Sequence, residues 1–340
     1  MMNKPRDLVI DEFLHGAGWG QAQRNKLPGD ASFRRYERLA DDARRAMLMD
    51  APPPREDVRP FLRIARHLTA LGFSAPRIHA ADETAGLLIL EDLGDDTYTR
   101  LLARGADERA LYALAIDVLI ALHRLPASQA IPADLPPYDD KRLLDEAKLL
   151  VEWFMPAIAG AATPAPLIDD YVGLWQAILP LARSGPATLV LRDYHVDNLM
   201  GLPERHGVAA CGLLDFQDAV AGPAAYDVVS LLGDARRDLA PGLAEAMMAR
   251  YQAGFPLLDK SAFAASAAIL SAQRNAKIIG IFTRLSRRDG KHHYLAHIPR
   301  VWRLLENDLS HPALRDLRQW FDRVLPPNLR RAPAVPDAAP

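Results

Sequence analysis

Asp193, Asn198 and Asp215 are the residues of this 340-residue chain whose types and spacing could do chemistry together. Asp193 and Asn198 share the segment Arg192-Asp193-Tyr194-His195-Val196-Asp197-Asn198, and Asp215 opens Asp215-Phe216-Gln217-Asp218. A carboxylate can take the proton of an attacking hydroxyl, and an Asn with an Asp offers hard oxygens to Mg²⁺ bridging nucleotide phosphates. A loop carrying Asp and Asn, then a hairpin, then another Asp, supplies the parts that phosphoryl transfer needs. Each segment alone reads equally well as turn residues; order, spacing and strand context together favour chemistry. Asp193 is then the catalytic base, with Asn198 and Asp215 the metal ligands.

The elements around them fit that use. Thr188 to Leu191 is a buried strand entering the loop, a hairpin turns through Pro203 to Gly207, and a second strand from Val208 to Leu214 delivers Asp215. Asp227 opens a helix after Gly222-Pro223, where a carboxylate suits the helix dipole and can brace the catalytic loop. Upstream, a helix over 6–16, strands over 33–39 and 45–49, a helical stripe from Val58 to Leu71, and strands over 75–79 and 87–90 predict a small sheet with one helix. From about Thr97 the pattern is mainly helical, over 111–125, 141–154, 168–183, 224–232 and 239–255. The fold class expected is α+β, a two-lobed protein-kinase-like fold with a small β-rich N-lobe and a larger, mainly helical C-lobe. Residues 1–93 form the nucleotide-binding lobe, 94–325 the catalytic and substrate lobe, and the Pro/Ala-rich 326–340 a disordered tail.

Composition removes other classes. With 41 basic and 43 acidic residues the formal charge is −2, which gives no field to gather nucleic acid or anionic lipid. The single cysteine, Cys211, cannot form an intrachain disulfide. Asp11 and Glu12 interrupt any signal-like apolar run, and Gln273, Arg274, Asn275 and Lys277 break the most apolar stretch. A cytoplasmic enzyme with no nucleic acid, membrane or protein partner is the expectation.

At its catalytic residues the sequence resembles the aminoglycoside phosphotransferase superfamily, and within it the bacterial N-acetylmuramate/N-acetylglucosamine anomeric kinases of cell-wall recycling. The segments that carry the resemblance are Gly29 to Tyr36, Leu48 to Pro53, Leu90 to Asp95, Arg192 to Met200, and Gln273 through Arg300. The resemblance implies ATP and Mg²⁺ as cofactors and an amino sugar as the acceptor, phosphorylated at its C1 hydroxyl. It places the nucleotide base at the backbone of Glu91, Asp92 and Leu93, and the phosphates under Gly29, Asp30, Ala31, Ser32 and Phe33. It assigns no residue to the sugar.

The chain departs from that pattern in three places. Leu191 stands where a loop-bracing His is usual, and the phosphate loop has one glycine, Gly29. The strand over 45–49 has Met49 where a phosphate-pairing lysine belongs, and Met47 two positions back is uncharged too. The helix from Glu56 to Leu71 has no interior Glu to pair with such a lysine. Arg34 or Arg35 is the expected replacement cation, with Arg35 placed among the nucleotide-binding residues; each reads equally well as an exposed hairpin arginine. A pseudokinase, suggested by the missing lysine, and another small-molecule kinase of the aminoglycoside or choline type are the alternatives. His293 and His297 share a helical face, but a zinc site there lacks further ligands. Arg274, Lys277, Arg284 and Arg287 could meet the lactyl carboxylate of N-acetylmuramate or simply be a solvated face. His195, Asp197 and Ser230 lack the turn of a hydrolase nucleophile, and Trp153, Tyr171 and Trp175 read as core more than as a sugar platform.

Overall fold

A computed structural model describes residues 4–28, 33–42 and 44–335. Five strands, β1 (Gln23–Lys26), β2 (Arg35–Asp41), β3 (Arg44–Asp50), β4 (Ile78–Asp82) and β5 (Leu87–Leu90), form one antiparallel sheet in the order β1-β2-β3-β5-β4. Side chains alternate across a sheet, so register decides what each face buries. Leu39 lies opposite Ala46 and Leu48 opposite Ile89, and with Leu87 they make an apolar face that Ile10 and Leu14 of the helix Arg6–Gly16 cover. The helix Arg59–Ala70 buries Phe61, Leu62, Ile64, Ala65 and Leu68. Each such Phe, Leu or Ile side chain contributes about 1.5–3 kcal/mol of burial free energy.

The four later strands, β6 (Ala187–Val190), β7 (Leu199–Gly201), β8 (Cys211–Leu213) and β9 (Val220–Pro223), form two antiparallel pairs, β6 with β9 and β7 with β8. The chain divides into two compact units, Met1–Val118 with Val196–Ala219, and Leu119–His195 with Val220–Pro340. The sequence boundary near Leu93 falls inside the first unit, which also takes in the β7–β8 hairpin. The second unit is built on the 30-residue helix Lys260–Asp289. Its aromatic core includes Tyr171, Trp175, Trp302, Trp320 and Phe321, all at most 1% exposed.

Several elements differ from the sequence reading, each for a local reason. β1 escapes a hydrophobic pattern because Gln-Arg-Asn-Lys is a polar edge strand. The strand expected over 75–79 begins at Ile78, beyond Pro76, which has no N–H to give a ladder. Gly207–Ala210 is a 3₁₀ turn, leaving a shorter second hairpin strand than the one read over 208–214. The helix read over 141–154 is α over Asp140–Ala147 and π over Leu150–Phe154. That widened turn sits where the long helix comes closest: a Cβ on Gly280 would lie 2.3 Å from the carbonyl carbon of Leu149, so only glycine fits.

The tail read as disordered is partly ordered. Pro327–Leu329 is a 3₁₀ turn, and Arg330 pairs with Glu306 at 2.8 Å and Asp322 at 2.6 Å. Composition hid this anchoring because the partners lie upstream. Residues 336–340 of that tail fall outside the described residues. Among the described residues no helix is long and apolar enough to cross a membrane.

Candidate active site

In the second unit, β6 feeds the loop that carries Asp193. Asp227, fully buried in the first turn of the helix Ala225–Leu232, accepts the backbone N–H of Leu191 at 2.7 Å and of Arg192 at 2.9 Å. The bracing read from sequence for Asp227 is therefore present, and it acts through backbone N–H groups, so the loop needs no His side chain at Leu191. Ser230 adds a hydrogen bond to the Arg192 carbonyl at 3.1 Å. These contacts hold Arg192 at φ +69°, a conformation that costs a non-glycine residue about 1–2 kcal/mol. Burial pushes the Asp227 carboxyl up to about 7, with the two N–H donors pulling against it and Asp193 adding repulsion.

The Arg192 side chain turns into a buried ionic cluster. It pairs with Glu146 and lies over the ring of Tyr138, 5.5 Å from the centroid. Glu146 also faces Lys277 at 3.4 Å and accepts from Tyr138 at 2.5 Å and Gln273 at 3.2 Å. Lys277 donates to Tyr226 at 2.7 Å. Burial alone would raise the Glu146 pKa, but Lys277 and Arg192 outweigh it and hold the carboxyl below its ordinary value. Lys277 and Arg274, read from sequence as possible members of a solvated face, are only 7% and 5% exposed. Glu146 was not foreseen: a single Glu on an amphipathic helix carries no sign of a partner 46 residues away.

In the first unit, the β7–β8 hairpin brings Asn198 and Asp215 together. The Leu214 N–H donates to the Asn198 carbonyl at 2.9 Å, and the Asn198 amide nitrogen lies 3.4 Å from the Asp215 carboxylate. Gln217 donates to the other Asp215 oxygen at 2.7 Å. Asp215 has φ +57°, so it too is held in the left-handed region. Two oxygen-bearing side chains suit Mg²⁺ carried on nucleotide phosphates, since that ion keeps waters and phosphates as most of its ligands. Among the described residues no cluster of three or more His, Cys, Asp or Glu could form an all-protein metal cage.

Met49 is buried, opposite Tyr36 on β2 and Leu88 on β5. Of the two neighbouring arginines, Arg35 is exposed, whereas Arg34 is half-buried and paired with Glu56 at 3.1 Å. Glu56 also accepts the Phe33 N–H at 3.1 Å. Burial would lower the Arg34 pKa, but Tyr36, Glu56 and Asp215 together raise it, which keeps the guanidinium charged beside Asp215. Where the sequence pattern lacks a Lys–Glu pair, the structure holds an Arg34–Glu56 pair. Its Glu was overlooked because it precedes the helix Arg59–Ala70 instead of lying inside it.

Glu91, Asp92 and Leu93 follow β5 and are fixed by their own side chains. Glu91 pairs with Arg205 at 2.6 Å, Asp92 with Arg38 at 2.7 Å, and the Leu93 side chain packs against Gly212. Among the described residues no backbone group bonds to the Glu91 carbonyl or the Leu93 N–H. Phe33 is 58% exposed. Gly29, Asp30, Ala31 and Ser32 lie outside the described residues.

Other sequence candidates are accounted for by packing. Ser230 is engaged with the Arg192 carbonyl, and Asp197 accepts from Thr99. Tyr171 and Trp175 are fully buried core residues. His292–His297 is 3₁₀, not α, so His293 and His297 do not share a face at three residues per turn.

Comparison with known proteins shows the family. Residues 24–263 match the phosphotransferase enzyme family model. The chain belongs to this family. An N-acetylmuramate/N-acetylglucosamine kinase of Caulobacter vibrioides is 39% identical, with 97% of this chain and 99% of that protein covered. A kinase of the same name from Pseudomonas aeruginosa is 37% identical, with 92% of each covered. Among solved structures, the choline kinase LicA of Streptococcus pneumoniae superposes with a TM-score of 0.62 at 12% identity, over 90% of this chain and 99% of that one. ADP-bound aminoglycoside phosphotransferase APH(2'')-Ib gives 0.55 at 17% identity, over 88% and 97%. Both share the kinase-like fold expected from the sequence, and this family member is a phosphotransferase enzyme.

Proposed function

We propose that this chain is an ATP-dependent, Mg²⁺-requiring kinase that phosphorylates the C1 hydroxyl of N-acetylmuramate and N-acetylglucosamine, recovering sugars released from peptidoglycan. The observation that carries the reading is near full-length similarity, at 39% identity, to a kinase named for those two sugars. A need for ATP places the reaction in the cytoplasm.

Asp193 receives the proton of the C1 hydroxyl as that oxygen bonds to the γ-phosphorus; the bond from phosphorus to the bridging oxygen breaks, and that oxygen leaves with ADP. Asp227, through the Leu191 and Arg192 amides, fixes the loop that presents Asp193. Asn198 and Asp215 are the residues that would hold Mg²⁺, which supplies charge neutralisation on the phosphates when bound. By the sequence resemblance Gly29, Asp30, Ala31, Ser32 and Phe33 are the residues assigned to those phosphates, and the backbone carbonyl and N–H at Glu91 and Leu93, flanking Asp92, are assigned to the base. Arg34, anchored by Glu56, is the cation assigned to the phosphates in place of lysine; Arg35 is its exposed neighbour.

The test is ATP turnover on a panel of amino sugars, aminoglycosides and choline, followed by locating the phosphate. Phosphate at C1 removes the reducing end and is acid-labile, whereas phosphate at C6 leaves the reducing end intact. Turnover confined to aminoglycosides or choline overturns the sugar assignment. Asp193→Asn should lower kcat by about two to four orders of magnitude while ATP and sugar still bind; a folded variant with full activity removes Asp193 as the base.

A further inference from the structure

In the second unit a cavity of about 510 Å³ is lined by Asp139, Lys141, Arg142, Asp145, Glu146 and Arg284, among others, a size typical of small-molecule sites. Three of these side chains are acidic and three basic, yet the acids are engaged. Glu146 is held by Arg192 and Lys277, Asp145 pairs with Lys141 at 2.7 Å, and Asp139 caps its helix through the Arg142 N–H at 2.9 Å. Neither Arg142 nor Arg284 has an ion-pair partner among the described residues, and the buried Nε of Arg284 has no acceptor. Burial and the nearby Arg288 hold the Arg284 guanidinium below its ordinary pKa, with Asp289 pulling the other way. Glu146 ties the cavity wall to Arg192, the residue next to Asp193.

We infer that Arg142 and Arg284 form a carboxylate-binding subsite in this cavity, which receives the lactyl carboxylate of N-acetylmuramate and has no counterpart to bind on N-acetylglucosamine. The inference rests on the sugar-kinase reading above and deepens it. Two half-buried guanidinium groups facing one cavity are suited to a carboxylate because each presents paired N–H donors in a planar fork. The two sugars share the ring and the acetamido group and differ at C3, where only one carries the acidic ether. The subsite therefore sets preference between the sugars and takes no part in proton transfer.

The test measures kcat/KM for both sugars with the wild-type protein and with Arg142→Gln and Arg284→Gln. Each variant should lower the ratio of N-acetylmuramate to N-acetylglucosamine efficiency by about tenfold to a hundredfold, the range for a lost charge-assisted hydrogen bond. Lysine at either position should restore part of that ratio. A second arm needs no variant: the methyl ester of N-acetylmuramate should be a poorer substrate of the wild-type protein by a similar factor. If both variants leave the ratio unchanged, or the ester matches the free acid, the subsite is refuted while the kinase reading stands. If the wild-type protein phosphorylates neither sugar, the kinase reading itself fails.

Discussion

Asp227→Asn separates positioning from stability, because the buried carboxylate does two opposing things. It accepts the N–H groups of Leu191 and Arg192 at 2.7 and 2.9 Å. It also sits fully buried, with its carboxyl pushed up from 3.8 to about 7, mainly by burial. A folded-state pKa above the unfolded value means that the native state binds the proton more tightly. Stability tied to this group is therefore full below pH 4 and is lost as pH rises towards 7. At about 1.4 kcal/mol per pH unit, the shift makes the ionised carboxylate cost on the order of 4 kcal/mol at neutral pH.

The asparagine removes that cost but keeps one acceptor, and its amide nitrogen meets the second N–H as donor against donor. The variant should therefore lose little stability at pH 8, while the Asp193 loop is no longer fixed at both amides. A displacement of about 1 Å at the reacting group costs on the order of a hundredfold, so kcat should fall about tenfold to a hundredfold. Denaturant melts at pH 5 and pH 8, with steady-state rates on the same samples, measure both effects. Asp308, also pushed up to about 7 by burial, keeps a slope of the same sign, so the readout is the difference between wild type and variant. An unchanged kcat, or a rate loss that merely follows the unfolded fraction, refutes the positioning argument.

Two further outcomes follow from the cation network. Arg34→Ala should raise the KM for ATP about tenfold or more, the scale of a lost charge-assisted contact, whereas Arg35→Ala should stay within about twofold; initial rates against ATP concentration decide, and the reverse order would move the phosphate cation to Arg35. Glu146→Ala strips the counter-charge from Arg192 and Lys277 and should destabilise the protein by about 3–5 kcal/mol. Denaturant melts would show it, and a stability within 1 kcal/mol of wild type would show that the cluster is solvated.

Legibility in the sequence tracked how local the cause was. Asp193 and Asn198 lie within one short loop, and a hairpin links that loop to Asp215, so type and spacing were enough to single them out. Asp227 was readable because Gly222-Pro223 marks a helix start, although not that its carboxylate reaches two amides 35 and 36 residues upstream. Glu146 and Lys277 were illegible as a pair, since a Lys or Glu on a helix reads as solvated until another element supplies its partner. Glu56 is illegible for a different reason: the pattern places a pairing Glu inside the helix, and this residue lies ahead of Arg59–Ala70.

Backbone strain explains why the local rules weaken at the candidate site. Only four non-glycine residues among those described have positive φ, and two of them are Arg192 and Asp215. A reading from propensity would put glycine or asparagine at such positions. Arg192 holds its conformation because Asp227 and Ser230 grip its backbone and Glu146 its side chain; Asp215 is held by Gln217 and the Asn198 hairpin. Glycine at either position would relieve the strain but delete the charged side chain, and in Arg192 it would also release the link to Glu146. Strain at both residues is thus the cost of placing a side chain and a tight turn at one point, which is why local sequence rules fail at these two candidate-site positions.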